Sequence, residues 1–473
     1  MYNPKSMDSN QFISHKEVEE TLAFAEEEAK DAGRIKEILS KAAAFSGLTH
    51  REAAVLLNIT SPKMLEEVYS LARKIKEHIY GRRIVMFAPL YLSDYCINQC
   101  SYCGYNTEHR MKRRRLSQQE LTDEVRVLES MGHKRLALEA GEDPANCPLD
   151  YILECIKTIY SLKFNNGAIR RVNINIAATT VDDYRKLKDA AVGTYVLFQE
   201  TYHKPTYLAV HKGGPKRNYE WHTEAHDRAM MGGIDDVGLG VLYGLADWKY
   251  DTVAMLMHAE HLEAAFGVGP HTLSVPRIRA AEGVDEHDFP HIVRDDDFKK
   301  IVAVLRLAVP YTGMILSTRE SQGYREEVIA LGISQVSAGS CTGVGGYAHT
   351  GKLGCQEQTP QFQPEDHRSP NEILKDLIRD GYIPSYCTAC YREGRTGDRF
   401  MRLAKTGEIG NVCQPNAILT LSEYLEDYAD DELKELGRAA IERELEAIKN
   451  PARREKAKEF LKRIAAGERD LRF

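Results

Sequence analysis

The chain has no run of about 18 apolar residues, the length that a membrane-spanning helix needs. Its first residues are polar and carry no apolar signal region. The expectation is therefore a soluble, cytoplasmic protein with no membrane partner. An excess of basic charge is also missing: the formal net charge of −7 and pI near 6.2 leave no overall footprint for nucleic acid. The basic run Lys112-Arg113-Arg114-Arg115 is local, and reads as a solvated face ahead of a helix. Ten cysteines in 473 residues are too sparse for a disulfide scaffold, and their clustering points to metal instead. Cys147, Cys155, Cys341 and Cys355 lack ligand spacing and read as ordinary residues.

At 473 residues the chain exceeds one ordinary core, so a large domain with appendages is expected. Residues 1–82 read as a helical segment. Ser14-x-x-Glu17 and Thr49-x-x-Glu52 have the form of capping boxes. Ser61-Pro62 opens a helix whose Leu65, Val68, Ala72, Ile75 and Ile79 make one apolar stripe, and Gly81 ends it. From residue 84, strands at Ile84–Leu90, Arg135–Glu139, Arg171–Ala177, Thr194–Gln199, Val237–Leu242, Thr272–Pro276, Met314–Thr318 and Ser334–Ala338 alternate with helical patterns. That alternation fits an α/β fold, a complete (β/α)8 TIM barrel over 83–344, followed by a mainly helical C-terminal extension over 345–473. An open doubly wound sheet is the alternative, but the first βα turn lacks the dinucleotide glycine fingerprint.

That turn carries Cys96, Cys100 and Cys103 in a C-x3-C-x2-C spacing. Three thiolates so close together suit three corners of a four-iron cluster and leave the fourth iron open. A structural zinc site would want four protein ligands, and three ordinary thiols would rarely share one short loop. With Tyr102 just before the last cysteine, the loop resembles the radical S-adenosylmethionine (SAM) superfamily. In that family the open iron chelates the amino and carboxylate groups of SAM. The resemblance implies cofactor-binding roles along the barrel. Ala140-Gly141-Glu142 is similar to the family's Gly-Gly-Glu motif for the SAM amino group, with Ala in place of the first Gly. Glu200 closes the fourth strand, Arg228 is a candidate for the SAM carboxylate, and Gly238 and Gly240 resemble the glycine-rich strand that adenine approaches.

Two strands depart from an apolar barrel interior. Asn173 and Asn175 alternate with Val172, Ile174 and Ile176, and Gln335, Ser337 and Gly339 share one face. These polar faces should point inward, as a satisfied hydrogen-bond network or as the wall of a wet or ligand-filled channel.

A second cysteine set, Cys387, Cys390 and Cys413, has C-x2-C-x22-C spacing. Alone, it fits a zinc knob completed by His349 or His367 as well as a second cluster. Taken together, the chain resembles the tyrosine lyases of FeFe-hydrogenase maturation, from the N-terminal helices through to Gln414-Pro415-Asn416-Ala417-Ile418-Leu419-Thr420. Gly269–Arg277 and Leu316–Glu320 are shared in style with aromatic-amino-acid lyases of the superfamily.

The resemblance implies two 4Fe-4S clusters, one binding SAM and one auxiliary with an extra iron held by a free cysteine. It implies reductive SAM cleavage, with a reductant such as ferredoxin or flavodoxin. L-Tyrosine would be split at Cα–Cβ into p-cresol and dehydroglycine. Dehydroglycine would become carbon monoxide and cyanide at the auxiliary cluster, giving an iron–carbonyl–cyanide unit for other hydrogenase maturases. A histidine helps hold the extra iron in that family. His271, before the sixth strand and so at the barrel bottom, is the candidate; His258 and His261 are the alternatives. Arg319 and Ser317 are the candidate catalytic residues, Arg319 for the tyrosine carboxylate unless it merely pairs with Glu320 or Glu326. A thiamine-pathway tyrosine lyase (2-iminoacetate synthase) and a non-catalytic iron–sulfur scaffold are the competing functions.

Overall fold

The computed structural model describes residues 1–164, 167–281, 283–348 and 360–473. Eight parallel strands close on themselves: β1 (Arg83–Ser93), β2 (Arg135–Ala140), β3 (Arg171–Asn175), β4 (Thr194–Val196), β5 (Asp236–Gly240), β6 (Thr272–Ser274), β7 (Gly313–Leu316) and β8 (Gln335–Ser337). Each pairs with its successor, and β1 pairs with both β2 and β8, which completes a TIM barrel. Every strand expected from the sequence is present, most of them trimmed at the C-terminal end. Outward side chains such as Leu136, Leu138, Val172 and Ile174 are buried beneath the helices.

A further strand, β9 (Ile383–Ser385), was not expected. It lies parallel to β1 along Arg83–Val85, below the stretch where β2 begins to pair. With 11 residues, β1 is long, roughly 35 Å from end to end. Its upper end feeds the Cys96 loop, and its lower end holds the strand that leads into Cys387.

The N-terminal segment is helical and clasps the barrel. Thr49 and Glu52 form the reciprocal capping box, and the helix Pro62–Tyr80 buries Val68, Ala72, Ile75 and Ile79 before Gly81 ends it. The clasp closes on Glu260, which accepts hydrogen bonds from the Tyr2 hydroxyl at 2.5 Å and from the His50 backbone and ring at 2.8 Å. Among the described residues no helix is long and apolar enough to cross a membrane.

Candidate active site

The Cys96 loop is held by charge and by close packing. Asp94 accepts from the Arg114 backbone at 2.6 Å, and Arg113 donates to the carbonyls of Asp94, Tyr105 and Asn106 at 2.6–2.8 Å. The basic run is thus a solvated face only in part: Lys112 and Arg115 are exposed, while Arg113 stitches the cysteine loop shut and Arg114 pairs with Glu120. Gly141 lies against the same loop, and a β-carbon there would come within 2.3 Å of the Tyr95 carbonyl oxygen. The close approach of loop to strand end requires glycine.

Cys96, Cys100 and Cys103 border an upper cavity with Tyr102, Gly141, Glu142 and Glu200, at the C-terminal mouth of the barrel. Burial pushes the Cys103 thiol up to about 11 and raises Cys100 further. A bound metal would reverse this by stabilising the thiolates directly. Glu142 accepts from Asn98 Nδ2 at 2.6 Å, and Asn98 Oδ1 accepts from the Lys216 backbone at 2.9 Å. Lys216 Nζ pairs with Glu200 at 2.7 Å. Burial opposes that ammonium charge, but Glu200 and the triad hold the Lys216 pKa above its ordinary value. Glu200 sits at φ +68°, a conformation costly for a residue with a side chain, and it faces the cavity. The Tyr102 hydroxyl donates to His211 Nε2 at 2.8 Å; the other ring nitrogen of His211 donates to the Tyr207 carbonyl, and burial keeps the imidazole neutral.

Three expected SAM residues lie elsewhere. Arg228 stacks on Trp221 at 3.6 Å, donates to the carbonyls of Thr179 and Trp221, and is absent from the cavity wall. Gly238 and Gly240 also do not border it; a β-carbon on them would strike Thr272 Oγ1 at 2.5 Å and the Phe198 ring at 2.4 Å. Packing inside the barrel accounts for both glycines. Among the described residues, the cations that do line the upper cavity are Lys216 and Arg319.

Below this cavity lies an inner one, walled by Asn173, Asn175, Gln335 and Ser337 as the strand patterns anticipated, and also by Ser317; Gly339 does not border it. Tyr91, Glu139, Asn175, Phe198, Arg319 and Gln361 belong to both walls. The Arg319 guanidinium lies 3.5 Å over the Phe362 ring. Its suggested partners are taken: Glu320 pairs with Arg277 and Arg279, and Glu326 with Arg368. Among the described residues no carboxylate pairs with Arg319.

At the opposite end, Cys387, Cys390 and Cys413 border a third cavity with His271, which also touches Gln335 of the inner one. Cys387 follows β9, Cys390 lies in the short helix Ala389–Arg392, and Cys413 in the helix Gly410–Asp427. Pro415 interrupts the hydrogen bonding of that helix, and the freed Asn411 carbonyl accepts from Arg453 at 2.6 Å. A hydrogen bond from the Cys413 thiol, with Arg395 beside it, holds Cys390 low, towards the thiolate. Burial keeps His271 below its ordinary pKa and so neutral, the form that can ligate a metal.

Buried polar atoms without a hydrogen-bond partner line this third cavity: Nε of Arg83, Arg135 and Arg395, Asp236 Oδ2, Thr388 Oγ1 and His271 Nδ1, which lies 3.4 Å from Asp236 Oδ1. Such atoms are costly when buried alone. Three guanidinium groups, those of Arg83, Arg135 and Arg395, around three thiolates fit an anionic iron–sulfur group. No three His, Cys, Asp or Glu side chains among the described residues converge on a single-ion site. His367 is exposed, and His349 and Cys355 lie outside the described residues. His258 and His261 are buried under Phe12 and do not reach the lower cavity. Cys147 and Cys155 are free and buried, whereas Cys341 is disulfide-bonded.

Comparison with known proteins agrees with this geometry. Residues 90–259 match the radical SAM superfamily model, and residues 274–383 match the biotin and thiamin synthesis associated domain. The 2-iminoacetate synthase of Escherichia coli (strain K12) is 30% identical over 354 residues, which span 74% of this chain and 90% of that protein. A crystal structure of HydG, a maturase of the FeFe-hydrogenase, is 59% identical with a TM-score of 0.94, covering 98% of this chain and all of that one. The FeFe-hydrogenase maturase HydG from Carboxydothermus hydrogenoformans is 39% identical with a TM-score of 0.82, covering 97% of this chain and 99% of that one. The superfamily match implies 4Fe-4S clusters and SAM as the cofactors. With a radical SAM barrel, a mouth lined by its cysteine triad, and likeness along its whole length to two solved maturases, the chain belongs to the HydG family of radical SAM enzymes.

Proposed function

We propose that this protein cleaves the Cα–Cβ bond of L-tyrosine to p-cresol and dehydroglycine. Dehydroglycine is then converted to carbon monoxide and cyanide at an auxiliary cluster, giving an iron–carbonyl–cyanide precursor of the hydrogenase H-cluster. The observation that carries this reading is the pair of cysteine triads at opposite mouths of one barrel, with a polar-walled cavity between them.

Cys96, Cys100 and Cys103 would hold the SAM-binding cluster, with Glu142, Glu200 and Tyr102 around SAM. When bound, cluster and SAM supply the radical that starts the reaction. Arg319 grips the substrate carboxylate, using the planar fork that suits it, and Ser317 lies beside it on the inner wall. Phe362 packs 3.5 Å from the guanidinium, and both residues border the inner cavity. Cys387, Cys390 and Cys413 would hold the auxiliary cluster, with His271 and a free cysteine for the extra iron. The surrounding arginines offset its negative charge. A ferredoxin or flavodoxin supplies the electron, and other hydrogenase maturases receive the product.

The direct test is anaerobic incubation of the reconstituted protein with dithionite, SAM and carbon-labelled tyrosine. p-Cresol, cyanide and carbon monoxide should appear together. p-Cresol alone, from fully metallated protein, would move the assignment to a lyase of the 2-iminoacetate synthase kind. A pure cluster scaffold would cleave no SAM at all.

A further inference from the structure

Glu139 is a carboxyl group that the roles above leave unused. It sits on β2 with its side chain directed inward, between the outward-buried Leu138 and the strand end at Ala140. The strand register sets it level with Tyr91 of β1 and Asn175 of β3, so the three form one layer across the barrel. All three, with Arg319, belong to the wall shared by the upper and inner cavities. Among the described residues, the other two carboxylates of the upper cavity are engaged, Glu142 by Asn98 and Glu200 by Lys216. Among the described residues, the amide of Asn175 and the more distant charge of Arg319 act on Glu139.

A cation and an uncommitted carboxylate on one cavity wall are what a zwitterionic amino acid requires. With Arg319 taking the α-carboxylate, the remaining charge to be met is the α-ammonium. We propose that Glu139 binds the α-amino group of the substrate and takes one proton from it. This inference rests on the tyrosine reading above. As the ammonium enters, Glu139 first gives its own carboxyl proton to solvent; an ammonium N–H bond then breaks heterolytically and an O–H bond forms on the Glu139 carboxylate. No electron is transferred, and the products are a neutral amine and a neutral carboxyl. The amine then keeps N–H bonds from which a hydrogen atom can be taken.

The surroundings favour the transfer. Burial pushes the Glu139 carboxyl up to about 8, against the opposing effects of Asn175 and Arg319. A carboxyl raised towards the amine range makes the transfer nearly even in energy. The titratable groups facing it are Tyr91 on β1, Tyr105 in the cysteine loop and Arg319 after β7; burial raises both tyrosines and keeps them neutral.

The test uses the reconstituted holoprotein with SAM and no reductant, titrated calorimetrically with L-tyrosine and with its des-amino analogue, 3-(4-hydroxyphenyl)propionate. Titrations near pH 7 in buffers of different ionisation heat count the protons exchanged. Wild-type protein should prefer tyrosine to the analogue and release close to one proton per tyrosine bound, because Glu139 starts protonated. Glu139→Gln should lose both the preference and the release, while binding the analogue as wild type does. Under turnover, the same variant should still cleave SAM but form p-cresol about 100-fold more slowly, a typical cost of removing a general base. Glu139→Asp should restore part of the rate. If Glu139→Gln keeps the wild-type preference and proton release, the assignment fails. Should the wild type neither bind tyrosine nor make p-cresol, the tyrosine reading itself falls.

Discussion

Among the described residues, Arg319 and Lys216 are the two cations of the upper cavity, and their surroundings divide the work between them. Lys216 is committed to Glu200. Arg319 rests on Phe362 with no carboxylate partner among the described residues. A charge-assisted hydrogen-bonded pair contributes about 1.5–3 kcal/mol, so Arg319→Ala should raise the tyrosine KM roughly 10- to 100-fold. Arg319→Lys should recover little, because an ammonium does not reproduce the guanidinium fork. Steady-state p-cresol formation measures both, and an unchanged KM in Arg319→Ala would remove it from the substrate site. At this scale the sequence was only partly legible. The cysteine triads are visible as spacing. Lys216, Asn98 and His211 carry no motif, because side chains far apart in the chain meet only once the barrel has closed. Arg228 and the glycines of β5 match a motif in position, yet their space is taken by Trp221, Thr272 and Phe198.

Strand faces make the next scale. Asn173 and Ser337 on β3 and β8 line the inner cavity, an outcome that period-two alternation anticipated. If that cavity carries dehydroglycine downward, Asn173→Leu or Ser337→Leu should preserve p-cresol while lowering carbon monoxide; equal loss of both would count against a conduit. The N-terminal clasp gives a different prediction. Burial opposes protonation of His50, but Glu260 and Glu17 raise its pKa above the ordinary value. A raised histidine adds stability that is fully present below its unfolded value and is lost as pH climbs through its folded value. The Tm deficit of His50→Gln should therefore be large at about pH 6 and shrink by about pH 9. A deficit constant across that range would contradict the charge argument. β9 escaped sequence reading for a physical reason. It is three residues long with Pro384 in the middle, and a proline is tolerated there because the strand pairs on one side only.

Across the whole molecule, the barrel separates two chemistries and joins them through its interior. β1 ties the two ends, since the Cys96 loop follows its upper end and β9, leading to Cys387, is paired with its lower end. The eightfold alternation made the barrel legible from sequence. The union of His271 with a cysteine set more than a hundred positions away was reached only through the family resemblance, because spacing alone left zinc and iron–sulfur level. The arginine ring around that cavity now favours an anionic cluster. The central claim is that the lower triad holds an iron–sulfur cluster that decides the fate of the fragment. It is tested most directly by Cys413→Ala, reconstituted anaerobically and measured for iron, sulfide and zinc alongside products. The account predicts loss of one cluster's worth of iron and sulfide, retained p-cresol, and no carbon monoxide or cyanide. A variant that loses zinc and no iron would contradict it.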